Sequence, residues 1–508
     1  MNQSLFKNVL VVVFLMAMAI PYCLHPSQDL PSPVNHDEAA FHLNAKDIVL
    51  FGTSSLKDDR LTGILFPLQS LLGLISFSIF GCSIFSLRVL YVFLNILGNV
   101  LFFDLIRRTR GLFTASVVLA AFAFYTPRLI IGKAAMAESL TLPLVLILIW
   151  CFIYAFRSTR SYFWMGVLGA LILCTKLDNV FIPLFLTAFM GIESFRSWRE
   201  RDLHRAKRII MFYLSGAGLA ILVWLGFYLV VGWQKFLFYL KYVLRPNLNV
   251  LSYWNWEKLS PFTIKLFLKN IKYVYIAYPG LIVLTVICLV PFFALLISSK
   301  SERRNPLSWA ILLLAFLFLG KLLASSIFAT QRFAPCYPLP FLLVAYIVGF
   351  LMQKLNANII RTLKNCFAFI FLFMSFYICY LPNMLRWSWG IIFSPSYNVL
   401  NESRIIDSIF DKRYKALFLD GRFAYIALQL PVKFIDIPPD LSATEFYQVE
   451  TNPPLARKLI SENPDIGYVF FRPDNKIIKK IIEQEFSGEL IARNVAGYGL
   501  LYRLPRAN

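Results

Sequence analysis

The sequence predicts a mainly α-helical polytopic membrane protein with a small α/β domain at its C-terminal end. Of its 508 residues, 58% are hydrophobic and only 15% are charged, whereas a soluble domain carries about 25% charged residues. Twelve apolar runs precede residue 384, and most approach the roughly 20 residues that cross a bilayer core. After residue 384 the apolar segments become short, as is typical of buried strands.

The apolar runs and the basic clusters between them predict the topology. The runs lie at 7–24, 62–80, 84–106, 112–127, 139–156, 162–175, 179–195, 209–232, 273–298, 307–328, 335–352 and 366–382. Basic clusters follow several of them, at 107–110, 157–160, 196–208, 299–304 and 354–364. Short cytoplasmic loops carry an excess of Lys and Arg. All these clusters lie on the cytoplasmic side only if one of the apolar runs does not cross the membrane.

The run at 62–80 is the one we expect not to cross. It contains Pro67, Gln69 and several serines and glycines, which suit a juxtamembrane or re-entrant helix on the outer face better than a spanning one. Eleven crossings remain. The first run, although it resembles a secretory signal, is expected to be a retained helix because more membrane segments follow it.

This topology predicts two domains. Residues 1–383 form a transmembrane domain, in which 25–61 is the first outer loop. Residues 384–508 form an extracytoplasmic α/β domain, with strands at "YKALFLDG", "VKFIDIPP", "IGYVFFRP" and "GYGLLYRL" and an amphipathic helix at "NKIIKKIIEQEF". That domain has no glycine-rich phosphate loop and no cluster of catalytic residue types, so we expect it to cap or recruit rather than to catalyse.

The charge and cysteine content exclude some classes of function. The net charge of +22 gathers in short loops, which indicates contact with anionic lipid and not with nucleic acid. Eight cysteines occur without C-x-x-C spacing or a Cys/His cluster. Neither a zinc site nor a disulfide framework is predicted.

A carboxylate pair, Asp37 and Glu38, lies in the first outer loop between His36 and His42. Adjacent residues on a helix point about 100° apart, so one carboxylate can act as a base while the other orients it. The alternative is a helix N-terminus, where acidic residues are favourable. The histidine spacing is not that of H-E-x-x-H; a divalent cation held by carboxylates stays open, and no metal site is assigned.

Cations on the predicted outer face are the second candidate feature: Arg60, Lys133, Lys176, Arg245 and Arg332. The positive-inside rule disfavours cations there, so those at segment ends indicate either an anionic ligand or snorkelling to lipid headgroups. Two prolines behind Arg332 stiffen the turn that presents it.

The sequence leaves two alternative roles open for each of two further charged residues. Lys176 either binds an anionic ligand or pairs with nearby Asp178. Glu138 starts a membrane segment and is either a helix cap or a third acidic group of the same site.

The order of these pieces resembles the GT-C class of integral-membrane glycosyltransferases, and most closely the branch of protein O-mannosyltransferases and bacterial lipid A aminoarabinose transferases. The resemblance covers the arrangement of roughly residues 1–350. It rests on the D-E pair, the non-spanning helix, "RRTRG", the acidic residue opening a helix, the G-x-L-x-x-x-T-K stretch and the R-F-x-P-x-Y-P turn. The chain departs from the pattern at "DDRLTG", where relatives show K-P-P, and at Ala135, where many have Arg.

The resemblance implies inverting transfer of a sugar from a polyprenyl-phosphate donor to a glycan, lipid or protein acceptor. The reaction would take place on the outer face of the cell membrane, a bacterial inner membrane. Asp37 is then the base with Glu38 beside it, and Glu138 is the second acidic residue. The substrate-binding cations are Arg60, Lys133, Lys176 and Arg332, the last near the donor phosphate. No cofactor is required.

Other classes of function remain as alternatives. A GT-C-type polysaccharide polymerase or ligase differs only in the acceptor or in the size of the transferred glycan. A transporter or flippase would place ionisable residues near mid-membrane and often shows an internal repeat, which this sequence does not. A membrane-anchored binding protein would act through residues 384–508.

Overall fold

Helices formed by the apolar runs make up most of the described chain. The computed structural model describes residues 3–30, 38, 42–52, 67–155, 157–176, 179–231, 267–268, 270–272, 279–299, 301–324, 330–354, 396–411, 413–418, 453–471, 475–495 and 499–505. In the N-terminal half the helices are α1 (Gln3–Cys23), α2 (Leu43–Phe51), α3 (Pro67–Phe80), α4 (Ile84–Arg110), α5 (Leu112–Ala123), α6 (Thr126–Lys133), α7 (Ala137–Ala155), α8 (Arg160–Thr175), α9 (Phe181–Arg199) and α10 (Leu203–Val231).

The C-terminal half contains helices and strands. The helices are α11 (Pro279–Ser298), α12 (Pro306–Ala324), α13 (Pro338–Lys354), α14 (Asn398–Ile409), α15 (Pro453–Glu462) and α16 (Lys476–Lys480), with 3-10 helices at Glu302–Arg304 and Thr330–Cys336. The strands are β1 (Lys415–Phe418), β2 (Ile466–Phe471), β3 (Glu489–Val495) and β4 (Gly499–Arg503).

The chain divides into two compact units. The first consists of Met1–Leu24, Tyr91–Lys133 and Ala137–Phe393, and the second of His25–Leu90, Ala134–Met136 and Ser394–Asn508. The second unit thus contains the predicted first outer loop together with most of the predicted C-terminal domain. The predicted boundary at 383/384 lies outside the described residues.

Several helices have the length and composition of membrane spans. Five described stretches qualify: Ile84–Arg110, Ala137–Ala155, Leu203–Gly226, Pro306–Leu323 and Phe333–Phe350. The apolar parts of α1, α3, α8 and α11 are shorter, and α3 is the helix that the sequence predicts not to cross. The eleven crossings stay a prediction, since the last, at 366–382, lies outside the described part of the chain.

The apolar run at 112–127, which the sequence predicts to cross, does not form one straight helix. Helix α5 ends at Ala123 and α6 begins at Thr126, and the two are bent by 70°. Pro127 lies in the first turn of α6, where its missing N–H costs nothing. The outer turn predicted at 128–138 is therefore helical as far as Lys133.

Ion pairs join three of the predicted basic clusters at one end of the first unit. Arg110 Nη2 lies 2.8 Å from Glu302 Oε2, and both side chains are buried. The Arg110 guanidinium also lies 4.5 Å from the centre of the Tyr346 ring. Arg304 Nη2 lies 3.1 Å from Glu200 Oε1. Clusters that the topology assigns to one side of the membrane are thus held together.

Glycines allow α8 and α10 to pack backbone against backbone. A Cβ atom at Gly166 would overlap the backbone of Tyr213, and one at Gly216 would overlap the backbone of Phe163. Small residues at such contacts are typical of helix pairs in membranes, where close van der Waals packing drives association.

The C-terminal part of the second unit is a four-stranded sheet with the order β1-β2-β4-β3. Strand β1 runs parallel to β2, while β4 is antiparallel to both β2 and β3. Alternate residues of β2 face opposite sides. Tyr468 and Phe470 pack with Ile406 and Phe410 at the end of α14, and the other face packs against α15 and α16.

Strands β1, β2 and β4 fall within three of the predicted strand segments, and α16 starts the predicted amphipathic helix. Strand β3 was not predicted, because Glu489 and Arg493 interrupt its apolar alternation. The remaining predicted strand, at 432–439, lies outside the described residues.

Candidate functional site

The carboxylate of Glu38 is fully buried and bound by Arg88, the charged residue in the first turns of α4. Arg88 Nε donates to Oε1 at 2.7 Å and Nη2 donates to Oε2 at 2.7 Å. This two-pronged geometry is the strongest arrangement of a guanidinium and a carboxylate. Because a buried charge without its partner is strongly destabilising, the pair fixes residue 38 firmly against α4.

The remaining nitrogen of Arg88 holds the turn that follows α1. Nη1 donates to the carbonyl oxygens of Pro26 at 2.8 Å and Gln28 at 2.7 Å. Arg88 thus joins the start of the first outer loop to Glu38. Its donors are matched with acceptors on both sides, as a fully buried guanidinium requires.

A third segment reaches Glu38 through the main chain of residues 134–136. The N–H group of Ala135 donates to Glu38 Oε1 at 2.7 Å. The amide nitrogen of Gln69, on α3, donates to the Ala135 carbonyl at 3.3 Å. The helix that the sequence predicts not to cross is therefore linked to Glu38 through Ala135.

His42 is a buried, neutral part of this cluster. Its Nδ1 lies 2.9 Å from the Glu38 carbonyl oxygen, and the imidazole packs so closely on Gly73 that a Cβ atom there would overlap it. Burial lowers the pKa of His42 to about 4, because a low-dielectric site disfavours the charged form. His42 closes the turn between Glu38 and α2.

Lys46 and Asp47 on α2 are a buried pair of charges that the sequence reasoning missed. Burial lowers the pKa of Lys46 to about 8, while the charge of Asp47 acts in the opposite direction. The only sequence signal was their position, eight to ten residues after the carboxylate pair. Functional groups with shifted pKa values gather at active sites.

In the first unit, the predicted residues Glu138 and Lys176 form an ion pair. Glu138 lies in the first turn of α7 with its carboxylate buried, and Lys176 directly follows α8 with its side chain 19% exposed. Lys176 thus pairs with Glu138, while Asp178 lies outside the described residues. The structure brings these two predicted residues together.

A buried polar cluster extends from this ion pair along the helices. The hydroxyl groups of Thr141 and Thr175 lie 2.7 Å apart. The amide nitrogen of Asn179 lies 3.4 Å from each of them. The hydroxyls also donate to carbonyls one turn earlier in their own helices, so the cluster ties α7 to the end of α8.

Lys133 is buried, and its Nζ donates to the carbonyl oxygen of Leu24 at 2.7 Å, just beyond the end of α1. A cation at this position satisfies a carbonyl that the helix leaves open. Its role in substrate binding stays a prediction.

Arg128, which the sequence reasoning did not single out, is fully buried on α6. It donates to the side-chain oxygens of Asn95 at 2.7 Å and Asn99 at 3.0 Å. Its guanidinium also lies 5.2 Å and 5.4 Å from the rings of Tyr22 and Phe122. These contacts stabilise the short helix after the 70° bend. The signal for it was a charge between two apolar stretches.

Some predicted site residues lie partly or wholly beyond the described residues. Asp37 and Arg60 lie outside them. Arg332 lies in the 3-10 helix Thr330–Cys336, and only its backbone is described. Across the described ranges, no three His, Cys, Asp or Glu side chains lie together as a metal site requires; a divalent cation near Asp37 therefore stays a prediction.

No family model and no curated protein sequence matches this chain. Solved structures do match it. ArnT from Cupriavidus metallidurans bound to undecaprenyl phosphate aligns with a TM-score of 0.59 and 12% identity, over 99% of this chain and 99% of that one.

Two archaeal structures are also similar. The Archaeoglobus fulgidus oligosaccharyltransferase in complex with Zn and sulfate has a TM-score of 0.54 and 12% identity, over 93% of this chain and 68% of that one. The oligosaccharyltransferase AglB of the same organism, in complex with an inhibitory peptide and a dolichol-phosphate, has a TM-score of 0.53 and 13% identity, over 95% and 70%. The chain therefore has the GT-C fold, as the resemblance predicted.

Proposed function

We propose that this protein is an inverting membrane glycosyltransferase that moves a sugar from a polyprenyl-phosphate donor to an acceptor at the outer face of the membrane. Asp37 is the base that takes the acceptor proton, and Glu38 is the anchor that positions it. A solved structure of this fold that aligns over 99% of the chain, that of ArnT from Cupriavidus metallidurans, is bound to undecaprenyl phosphate, which supports a donor of this class.

The observation that carries the proposal is the ion pair between Glu38 and Arg88. Both oxygens of the Glu38 carboxylate accept hydrogen bonds from the protein, two from the Arg88 guanidinium and one from the Ala135 N–H group. The two neighbouring carboxylates then have different roles, because adjacent residues cannot face the same atom. Glu38 fixes the backbone, and we assign the role of base to Asp37.

The reaction needs few protein groups. The acceptor oxygen attacks the anomeric carbon of the sugar, the bond from that carbon to the phosphate oxygen breaks, and the acceptor proton passes to Asp37. The polyprenyl phosphate leaves as an anion, so cations that stabilise its developing charge complete the site. A single displacement inverts the anomeric carbon and forms no covalent enzyme intermediate.

The cations of the first unit supply the charge for the phosphate in this proposal. Lys176 is partly exposed while its partner Glu138 is buried, so the ammonium is the more accessible member of the pair. Arg332 follows on the 3-10 helix Thr330–Cys336, where a guanidinium can bind two phosphate oxygens at once.

The runner-up is transfer of a whole oligosaccharide, as the archaeal neighbours' names describe for those proteins. The share of each neighbour's chain that aligns favours transfer of a sugar from a polyprenyl-phosphate donor. This chain spans 99% of the ArnT structure but 68% of the first archaeal oligosaccharyltransferase.

The test is a transfer assay with purified protein, a panel of radiolabelled polyprenyl-phosphate sugars and membrane extract as the source of acceptor. We expect one donor to give label in a glycan, lipid or protein fraction, with inverted anomeric configuration. Label transferred only from a lipid-linked oligosaccharide would favour the runner-up. No transfer from any donor would contradict both.

A further inference from the structure

The turn that precedes the carboxylate pair is hydrogen-bonded to the start of the C-terminal segment. Asp29 N–H donates to the carbonyl oxygen of Ser396 at 2.8 Å. His25 Nδ1 and the Tyr397 hydroxyl lie 2.9 Å apart, across 372 residues of sequence. Their rings also meet edge to face, with centroids 6.4 Å apart.

The backbone of His25 has an uncommon conformation. His25 has a φ of 51°, in the left-handed region that residues with a Cβ atom rarely adopt. Such a conformation persists where the surroundings determine it, and it gathers at functional positions. Here it directs the imidazole to Tyr397.

The same turn is held from its other side by Arg88. Arg88 donates to the carbonyls of Pro26 and Gln28, both between His25 and Asp29, and to the carboxylate of Glu38. A continuous hydrogen-bonded path therefore leads from Tyr397 through the 25–29 turn and Arg88 to Glu38. All of these residues belong to the second compact unit.

The far end of the path is joined to the sheet by α14. Ser396 and Tyr397 directly precede α14, whose Ile406 is buried with Phe410 against Ala416, Tyr468 and Phe470 of the sheet. A displacement of the sheet would move Tyr397 with it, because α14 is short and packed.

We infer that the C-terminal α/β domain positions the carboxylate pair, with Tyr397 and Ser396 acting through His25, Asp29 and Arg88. The consequence of this inference rests on the proposed function: the domain holds in place the backbone next to Asp37, the proposed base. Tyr397 is a positioning residue: it acts through Arg88 and Glu38 and touches no substrate.

The test compares Tyr397→Phe with Tyr502→Phe. Each removes one tyrosine hydroxyl from the same domain, and Tyr502 donates to Glu483 Oε1 at 2.6 Å on the face of the sheet opposite to α14. Hydrogen–deuterium exchange of the Asp29 and Gln28 amides is measured in both variants, together with kcat and donor KM. Exchange does not depend on activity.

We expect Tyr397→Phe to speed exchange at Asp29 and to lower kcat about 3–10-fold, as the loss of one hydrogen bond would, with donor KM unchanged. Tyr502→Phe should lower Tm and leave exchange at Asp29 and kcat unchanged. Unchanged exchange at Asp29 in Tyr397→Phe would overturn the inference. So would faster exchange with kcat and KM equal to the parent's. A parent that transfers no sugar would instead contradict the proposed function, and the exchange result would still decide whether the domain holds the turn.

Discussion

Arg88 holds both carboxylate oxygens of Glu38 at 2.7 Å although 50 residues separate them in the sequence. The pair is buried beside the residue that we propose as the catalytic base. A buried ion pair contributes little net stability, but removal of one partner leaves an uncompensated charge. We propose that the function of this pair is geometric, since it fixes the backbone at Glu38.

Glu38→Gln should lower kcat at least ~10²-fold, the effect of a displacement of about 1 Å in an active site. The matched control is Glu302→Gln, which breaks the buried ion pair with Arg110 at 2.8 Å. Both variants should lower Tm, and only Glu38→Gln should lower kcat per folded molecule. Transfer assays normalised to folded protein measure this; similar kcat losses in both variants would mean that the effect is general destabilisation.

The ion pair between Glu138 and Lys176 predicts that replacement of Lys176 weakens donor binding. Lys176→Met removes a cation that we propose to bind the donor phosphate, so donor KM should rise about tenfold, the value of roughly 1.4 kcal/mol. Lys176→Arg should retain most of the binding. Donor titrations measure KM, and a Met variant with the parent's KM would assign Lys176 to pairing with Glu138 alone.

Arg332 should not tolerate replacement by lysine. A guanidinium binds two phosphate oxygens through a planar fork, which an ammonium cannot do, so Arg332→Lys should already impair turnover and Arg332→Ala should do so severely. Turnover at saturating donor is measured for both variants. A Lys variant as active as the parent would indicate an arginine that only reaches lipid headgroups.

Lys46 predicts a pH dependence of stability. Its pKa is lowered from 10.5 to about 8 in the folded protein, so between these two pH values the unfolded state binds a proton that the folded state does not. Stability from this group therefore rises with pH across that window. Relative to the parent, the Tm of Lys46→Met should therefore fall as the pH rises from about 8 to 10.5. Lys480→Met, at an exposed lysine, is the control; a Tm difference between Lys46→Met and the parent that does not change with pH would exclude this account.

Sequence patterns predicted the local structure where apolar periodicity is strong. The runs at 139–156 and 307–328 became α7 and α12. The bend near Tyr125 was missed, because the apolar run continues through it. Strand β3 was missed since its charged residues hide the alternation.

The site was only partly predictable. Asp37 and Glu38 stood out as adjacent carboxylates, but no local pattern could name Arg88 as the partner of Glu38. Such pairings are set by tertiary packing across 50 residues. The signal for Arg88 was a charge within the apolar run at 84–106, which marks a functional or paired group in a membrane protein.

The most direct test of the central claim is turnover by Asp37→Asn. The substitution keeps size and most hydrogen bonding but cannot accept a proton. We predict a loss of about 10²–10⁴ in kcat, the range for a general base, with binding of the polyprenyl-phosphate donor largely retained and Tm unchanged. If Asp37→Asn transfers sugar at the parent's rate, Asp37 only caps a helix and the proposed mechanism is wrong.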